Sequence, residues 1–318
     1  MRESETRRWA HPATILVATD LSDLDHLMPF AMEQARESAA RLILLHVLST
    51  ATAINSDAAG MPYYDISGAL EIAEQMLRPW CELAARRGIR CDALVREGKT
   101  IHQIAAAIRQ FQADRVLVGT RSRSKLGKML IGSVAEQVLR SVYFPVITVG
   151  PEAHLPVDRG PGRAVDRVVL HATTLRETSR PSAALACQIA ASQNAMLVLL
   201  HVLPHISEME RKGLPTGMHS SAMLELRILA EQIGVRCCSA VEPVVAHGNP
   251  SIEILALAQE RQASLIVLGA TARAAFENLT RDRTIYRVLA HARCPVLTLR
   301  ESQVMPEEVH AETSAAHH

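Results

Sequence analysis

QADRVLVGTRS, at Gln112–Ser122, returns 150 positions later as QASLIVLGATA, at Gln262–Ala272. Each copy carries a short run of Val, Leu and Ile that stops at a glycine, Gly119 or Gly269. The repetition extends outward in both directions without a gap. REGKTIHQIAAAI at Arg96–Ile108 matches AHGNPSIEILALA at Ala246–Ala258, and FPVITV at Phe144–Val149 matches CPVLTL at Cys294–Leu299. A period this long is a duplicated domain, since solenoid units run roughly 20–50 residues. The duplication supplies an internal control. Residues kept in both copies are read first as structural, and residues present in one copy are candidates for function.

The chain has 318 residues, enough for two domains at about 100–200 residues each. We divide it into residues 1–150, a proline- and glycine-rich linker at 151–164, a second copy at 165–300 and a polar tail at 301–318. Hydrophobic residues make up 48%, charged residues 21%, and the net charge is +1. That balance offers no basic excess to hold nucleic acid or an anionic membrane. No apolar run approaches the ~20 residues of a membrane helix, and no secretory signal is visible, so a cytoplasmic protein is expected. The six cysteines contain no CxxC pair. Cys237 and Cys238 fall in a segment read as a strand, where neighbouring side chains point apart, and reduced thiols are expected.

Within the first copy, ATILVAT, RLILLHVL, RCDALVR, DRVLVGT and FPVITVG are compact aliphatic runs, as strands buried on both faces should be. Between them LMPFAMEQARESA, LEIAEQMLRPWCELAARR, TIHQIAAAIRQF and SVAEQVLRSV carry apolar residues at helical spacing. The second copy repeats the alternation, with Pro243 marking its third strand as an edge or interrupted strand. The order predicts an α/β fold: two tandem doubly wound domains, each a parallel sheet with helices on both faces. Ligands of such sheets sit beyond the carboxyl ends of the strands, where the winding reverses.

Two loops at those ends carry polar chemistry. After the fourth strand come Gly119-Thr120-Arg121-Ser122, nine further residues, and Gly132-Ser133 at the start of a helix. Gly119 is expected to leave its strand in a conformation costly for other residues. The helix start offers unpaired N–H groups to an anion, and four cations with no carboxylate lie between Thr120 and Ser133. That suits a polyphosphate. The plainer alternative makes Ser133 an N-cap, with Glu136 completing a capping box. The second copy reads Gly269-Ala270-Thr271-Ala272 and then Asp282-Arg283, with Glu277 and Asp282 among the bases, which suits phosphate poorly. The other loop is Thr19-Asp20-Leu21-Ser22 after the first strand, where Asp20 can accept from ribose hydroxyls or act as a cap. We align it with Ala172-Thr173-Thr174-Leu175, which has no carboxylate.

The G-x2-G-x9-G-[S/T] spacing, the ATDLS segment and the LLHV and PV-[IL]-T strands resemble the universal stress protein family, in its tandem-domain form. The resemblance implies five-stranded domains of order 3-2-1-4-5, joined through their last strands, Phe144–Val149 and Cys294–Leu299. It also implies ATP, with or without Mg²⁺, in the N-terminal domain. Asp20 would face the nucleoside, Gly119, Arg121, Ser122, Gly132, Ser133 and Val134 would hold the phosphates, and Val47 is a weaker choice for adenine. Ser122 departs from the family's second glycine. A homodimer of the whole chain would need a further surface.

No HExxH, zinc-spaced Cys/His group, G-x-S-x-G elbow or intact Walker loop is present, so no metal site and no catalytic residue is expected. His46 and His201 occupy equivalent LLHV positions and are read as strand-end structure. The expected function is ATP-dependent regulation of an unidentified protein partner in a stress response, with at most slow hydrolysis. The competing readings are a scaffold of the same fold that binds no nucleotide, and a slow ATPase.

Overall fold

The computed structural model describes residues 3–48, 54–56, 62–64, 66–120, 133–141, 144–155, 167–176, 180–205, 217–237, 240–271 and 283–301. In the first half these form α1 (Glu3–Ala10), β1 (Thr14–Thr19), α2 (Leu24–Ser38), β2 (Arg41–Leu48), β3 (Ile54–Ser56), β4 (Pro62–Tyr64), α3 (Ile66–Arg86), β5 (Cys91–Glu97), α4 (Thr100–Phe111), β6 (Arg115–Gly119), α5 (Ser133–Ser141) and β7 (Val146–Val149). The second half follows with β8 (Val168–Ala172), α6 (Arg180–Ser192), β9 (Met196–Leu203), α7 (Met218–Cys237), β10 (Val241–His247), α8 (Pro250–Glu260), β11 (Leu265–Thr271), α9 (Arg283–His291) and β12 (Val296–Glu301).

The strands lie in the order β10-β9-β8-β11-β12-β7-β6-β1-β2-β5, with β3 and β4 as a separate two-stranded ribbon. Within the ten-stranded sheet every pairing inside a half is parallel, the separate β3–β4 ribbon is antiparallel, and the junction β12–β7 is antiparallel, Val296–Thr298 facing Val146–Thr148. The expected order is present in each half, yet the product is one mixed ten-stranded sheet. Strand residues alternate between two cores. Ile15, Val17, Leu42 and Leu44 pack with α2, α3, α6 and α7, while Leu16, Ala18, Ile43 and Leu45 pack with α4, α5, α8 and α9. Both cores run through both halves. Every residue of β1 is buried, which is why the run reads as continuously apolar rather than alternating.

Three features depart from the sequence pattern. α1 is unexpected because it is short and polar. Its last-turn Arg8 pairs with Asp114, whose Oδ2 also accepts from the Ala13 and Thr14 amides at 2.8 and 3.2 Å. Buried Arg115 donates to the Trp9 carbonyl at 2.6 Å. The β3–β4 ribbon falls inside a stretch that reads as loop. Cys237 closes α7 instead of standing on a strand; β10 begins only at Val241, and Cys238 lies outside the described residues. Pro243 does sit on an edge strand, since β10 pairs with β9 alone.

Candidate functional site

The winding reverses between β1 and its neighbours. From β1 the chain passes to β2 on one side, and β6 lies on the other. Thr19 pairs with His46 and Ala18 with Val118, so the carboxyl ends of β2, β1 and β6 meet at one crevice. Asp20 and Gly119 therefore flank it, with Val47 half-buried on β2 beside them. The Nδ1–H of His46 donates to the Thr19 carbonyl at 3.0 Å and fixes the strand end. His201 does the same for Thr173 at 2.9 Å in the other half, as expected of a structural pair.

Asp20 is exposed, and its Oδ1 accepts from the Ser22 amide at 2.9 Å and from Ser22 Oγ at 2.6 Å. This is an Asx-type turn made through Oδ1. Leu21 takes φ 71° within it, its amide donating to Thr19 Oγ1 at 2.9 Å. Leu175 repeats the turn, with φ 60° and its amide on Thr173 Oγ1 at 3.1 Å. These two turns shift the alignment of the copies by one residue: Thr173 matches Thr19, and Thr174 stands where Asp20 stands. The position still lacks a carboxylate in the second half.

Asp23 belongs to the site although its sequence pattern singles out only Asp20. It is 4% exposed, and its Oδ1 accepts from Thr19 Oγ1 at 2.7 Å. Burial pushes its carboxyl above the usual carboxylate range, against the bond from Thr19 that favours the anion. The other carboxylate oxygen lies over Gly119, where an added Cβ would overlap it and come within 3.1 Å of Cγ. Gly119 is not among the positive-φ residues. Its glycine is explained by the space Asp23 fills, not by an unusual backbone. The clue was the four-residue spacing of Thr19 and Asp23 across a turn.

Past Gly119 the copies diverge. β6 ends there, opposite Val149, and Thr120 turns away buried, its amide on the Val149 carbonyl at 3.1 Å. β11 continues through Gly269 to Thr271, paired as far as Glu301. Arg121, Ser122 and Gly132 lie outside the described residues. Ser133 opens α5, with its side chain outside them too, and Val134 is half-buried against the α5 side of the core. Glu136 pairs with Arg140 at 2.8 Å along the same helix. At its other end, Arg300 of the second half donates to the Arg140 carbonyl at 2.6 Å.

The model of the universal stress protein family matches residues 13–150 and again 167–300. The chain belongs to the universal stress protein family. Universal stress protein YxiE of Bacillus subtilis is 27% identical over 143 residues, covering 42% of this chain and 97% of that protein. A universal stress protein of Thermus aquaticus is 30% identical over 140 residues, covering 43% and 97%. Both relatives thus correspond to a single half. A solved universal stress protein from Archaeoglobus fulgidus spans 91% of this chain and 98% of its own, at 20% identity and a TM-score of 0.66, a likeness of fold. Among the described residues no helix is long and apolar enough to cross a membrane, and no group of three or more metal-ligating side chains occurs.

Proposed function

We propose that the N-terminal half binds one adenine nucleotide, ATP, across the ends of β2, β1 and β6, and that the second half is a non-binding regulatory partner. The observation that carries this reading is the contrast between the two crevices. One has an exposed, turn-oriented carboxylate at Asp20 and a fourth strand that stops at Gly119; the other has Thr174 and a fourth strand that runs on to Thr271. In this assignment Asp20 accepts from the ribose hydroxyls and Val47 lies against adenine. Arg121, Ser122, Gly132, Ser133 and Val134 hold the phosphates at the start of α5, with Mg²⁺ as a counter-ion where it enters. In this reading the nucleotide acts as a bound signal rather than as a substrate for turnover, with hydrolysis at most slow. Arg300 at the far end of α5 gives the second half a direct hold on the phosphate-side helix. A cytoplasmic stress-response role, with the nucleotide state selecting a protein partner, fits this arrangement.

The test starts from denatured protein, with released nucleotide separated and identified, followed by calorimetry with ATP. About one adenine nucleotide per chain is expected, and Asp20→Ala should weaken binding by roughly tenfold, about 1.4 kcal/mol. Gly132→Asp with Ser133→Arg, which imports the second copy's residues, should abolish it. ATP affinity unchanged in that double variant would sink the assignment, and no binding by the unaltered chain would favour the nucleotide-free scaffold.

A further inference from the structure

Away from the crevice, at the sheet's outer edge, Cys91 Sγ lies 3.1 Å from Cys81 Sγ and donates to it. Both thiols are free and half-buried, so a small solute reaches them while the protein holds them together. Their backbones are fixed. Cys81 is in the last turns of α3, and Cys91 opens β5, paired to Leu42. The intervening turn is tied by amides of Arg87, Gly88 and Ile89 on the Ala84 and Ala85 carbonyls at 2.9–3.0 Å, with Gly88 at φ +75°. The pair exists in one copy alone. Register places Val241 where Cys91 stands, since Leu42 pairs with Cys91 and Leu197 with Val241. The buried helix positions Ala73 and Leu77 match Ala222 and Leu226, which puts Ala230 at the place of Cys81. A structural filler would need no sulfur here, as the second half demonstrates.

We propose that Cys81 and Cys91 form a peroxide-reactive dithiol that closes to a reversible disulfide between α3 and β5. The sulfurs need approach by about 1 Å to reach bonding distance, a side-chain adjustment. Cys81 is the attacking sulfur, because the hydrogen bond from Cys91 stabilises its thiolate and lowers its pKa, against the opposing effects of burial and Asp92. The Cys81 thiolate attacks one oxygen of a hydroperoxide. The O–O bond breaks, and the leaving oxygen departs as water or alcohol after taking a proton, giving Cys81 sulfenic acid. The Cys91 sulfur then attacks the Cys81 sulfur; the S–O bond breaks, and hydroxide leaves with the Cys91 proton as water. Two thiols supply two electrons to one peroxide, and the co-reactant is the hydroperoxide itself.

The full chain, reduced and then treated with hydrogen peroxide, tests this. Intact mass should fall by about 2 Da, two of the six thiols should resist alkylation, and dithiothreitol should restore both. Trypsin cuts after Arg86, Arg87 and Arg90, so the peptide ending at Arg86 and the peptide Cys91–Arg96 stay joined through the disulfide alone. In Cys91→Ser, Cys81 should be trapped as its dimedone adduct. In Cys81→Ser, loss of thiol to peroxide should slow at least tenfold. Oxygen addition without the joined peptides, joined peptides involving other cysteines, or an unchanged rate in Cys81→Ser would each overturn the proposal. The measurement on the unsubstituted chain decides even if a variant fails to fold.

Discussion

Asp23 and Gly119 are a matched pair, a buried carboxylate over a residue with no side chain, and neither makes sense alone. Gly119→Ala would drive a methyl into the Asp23 carboxylate, and Asp23 can yield only by leaving Thr19 Oγ1. Overpacking of this kind costs about 1–3 kcal/mol, so urea unfolding should show a loss in that range. An unchanged midpoint would mean that Asp23 moves freely and that the pair has no structural weight. His171 carries a second residue-scale consequence. It is fully buried on β8, its Nδ1–H on the Val267 carbonyl at 3.0 Å, and burial holds its pKa down at about 4. Because the folded value lies below the ordinary 6.5, the unfolded chain takes up this proton first as pH falls. The stability contribution is therefore complete above pH 6.5 and is lost as pH drops toward 4, by about 3 kcal/mol. Urea titrations of the parent and His171→Leu should show this slope in the parent and a flatter one in the variant. Parallel slopes would refute the assignment.

Elements buried on two faces were the most legible, because a run such as Leu42–Leu45 has no polar residue to confuse its period. α4 matches its pattern from Thr100 to Phe111 for a different reason, its buried Ile104 and Ala107 recurring at helical spacing among polar residues. What escaped depends on contacts distant in sequence. α1 is an isolated polar octapeptide until Asp114, Arg115 and the α6 face are present. The end of α7 reads as strand because Val235, Cys237 and Cys238 are not helix-favouring types, yet the helix runs on to Cys237. At the candidate site the exposed Asp20 was legible because a carboxylate beyond a buried strand has no core to join. Asp23 was not, since its burial follows from β6 arriving beside β1 almost a hundred residues later. Cys81 and Cys91 were likewise unremarkable as letters, and only the α3–β5 turn brings their sulfurs together.

The two halves are held as one body by more than a strand pair. Arg167 bridges to Glu33 and Glu37 on α2, Gln193 donates to Glu37 at 2.8 Å, and His291 meets Glu152 at 3.1 Å. The junction itself is nearly self-complementary. Ile147 faces Leu297, while Val146 faces Thr298 and Thr148 faces Val296, in the matching segments PVIT and PVLT. A second copy of Val146–Thr148 could take the place of β12 with Ile147 opposite itself and every other pairing unchanged in type. Residues 1–155 expressed alone would leave β7 as an open edge with Val146, Ile147 and Val149 uncovered, and α2 would stand ready to replace α6 beneath α1. That half should therefore form an isologous dimer, seen by light scattering at twice its chain mass. Ile147→Lys should return it to a monomer, since a charge would then meet a charge at the centre of the pair. A half that stays monomeric at micromolar concentration would show that the linked arrangement depends on Arg167 and the other cross-links rather than on strand pairing, and that covalent tethering is what brings the two sheets together.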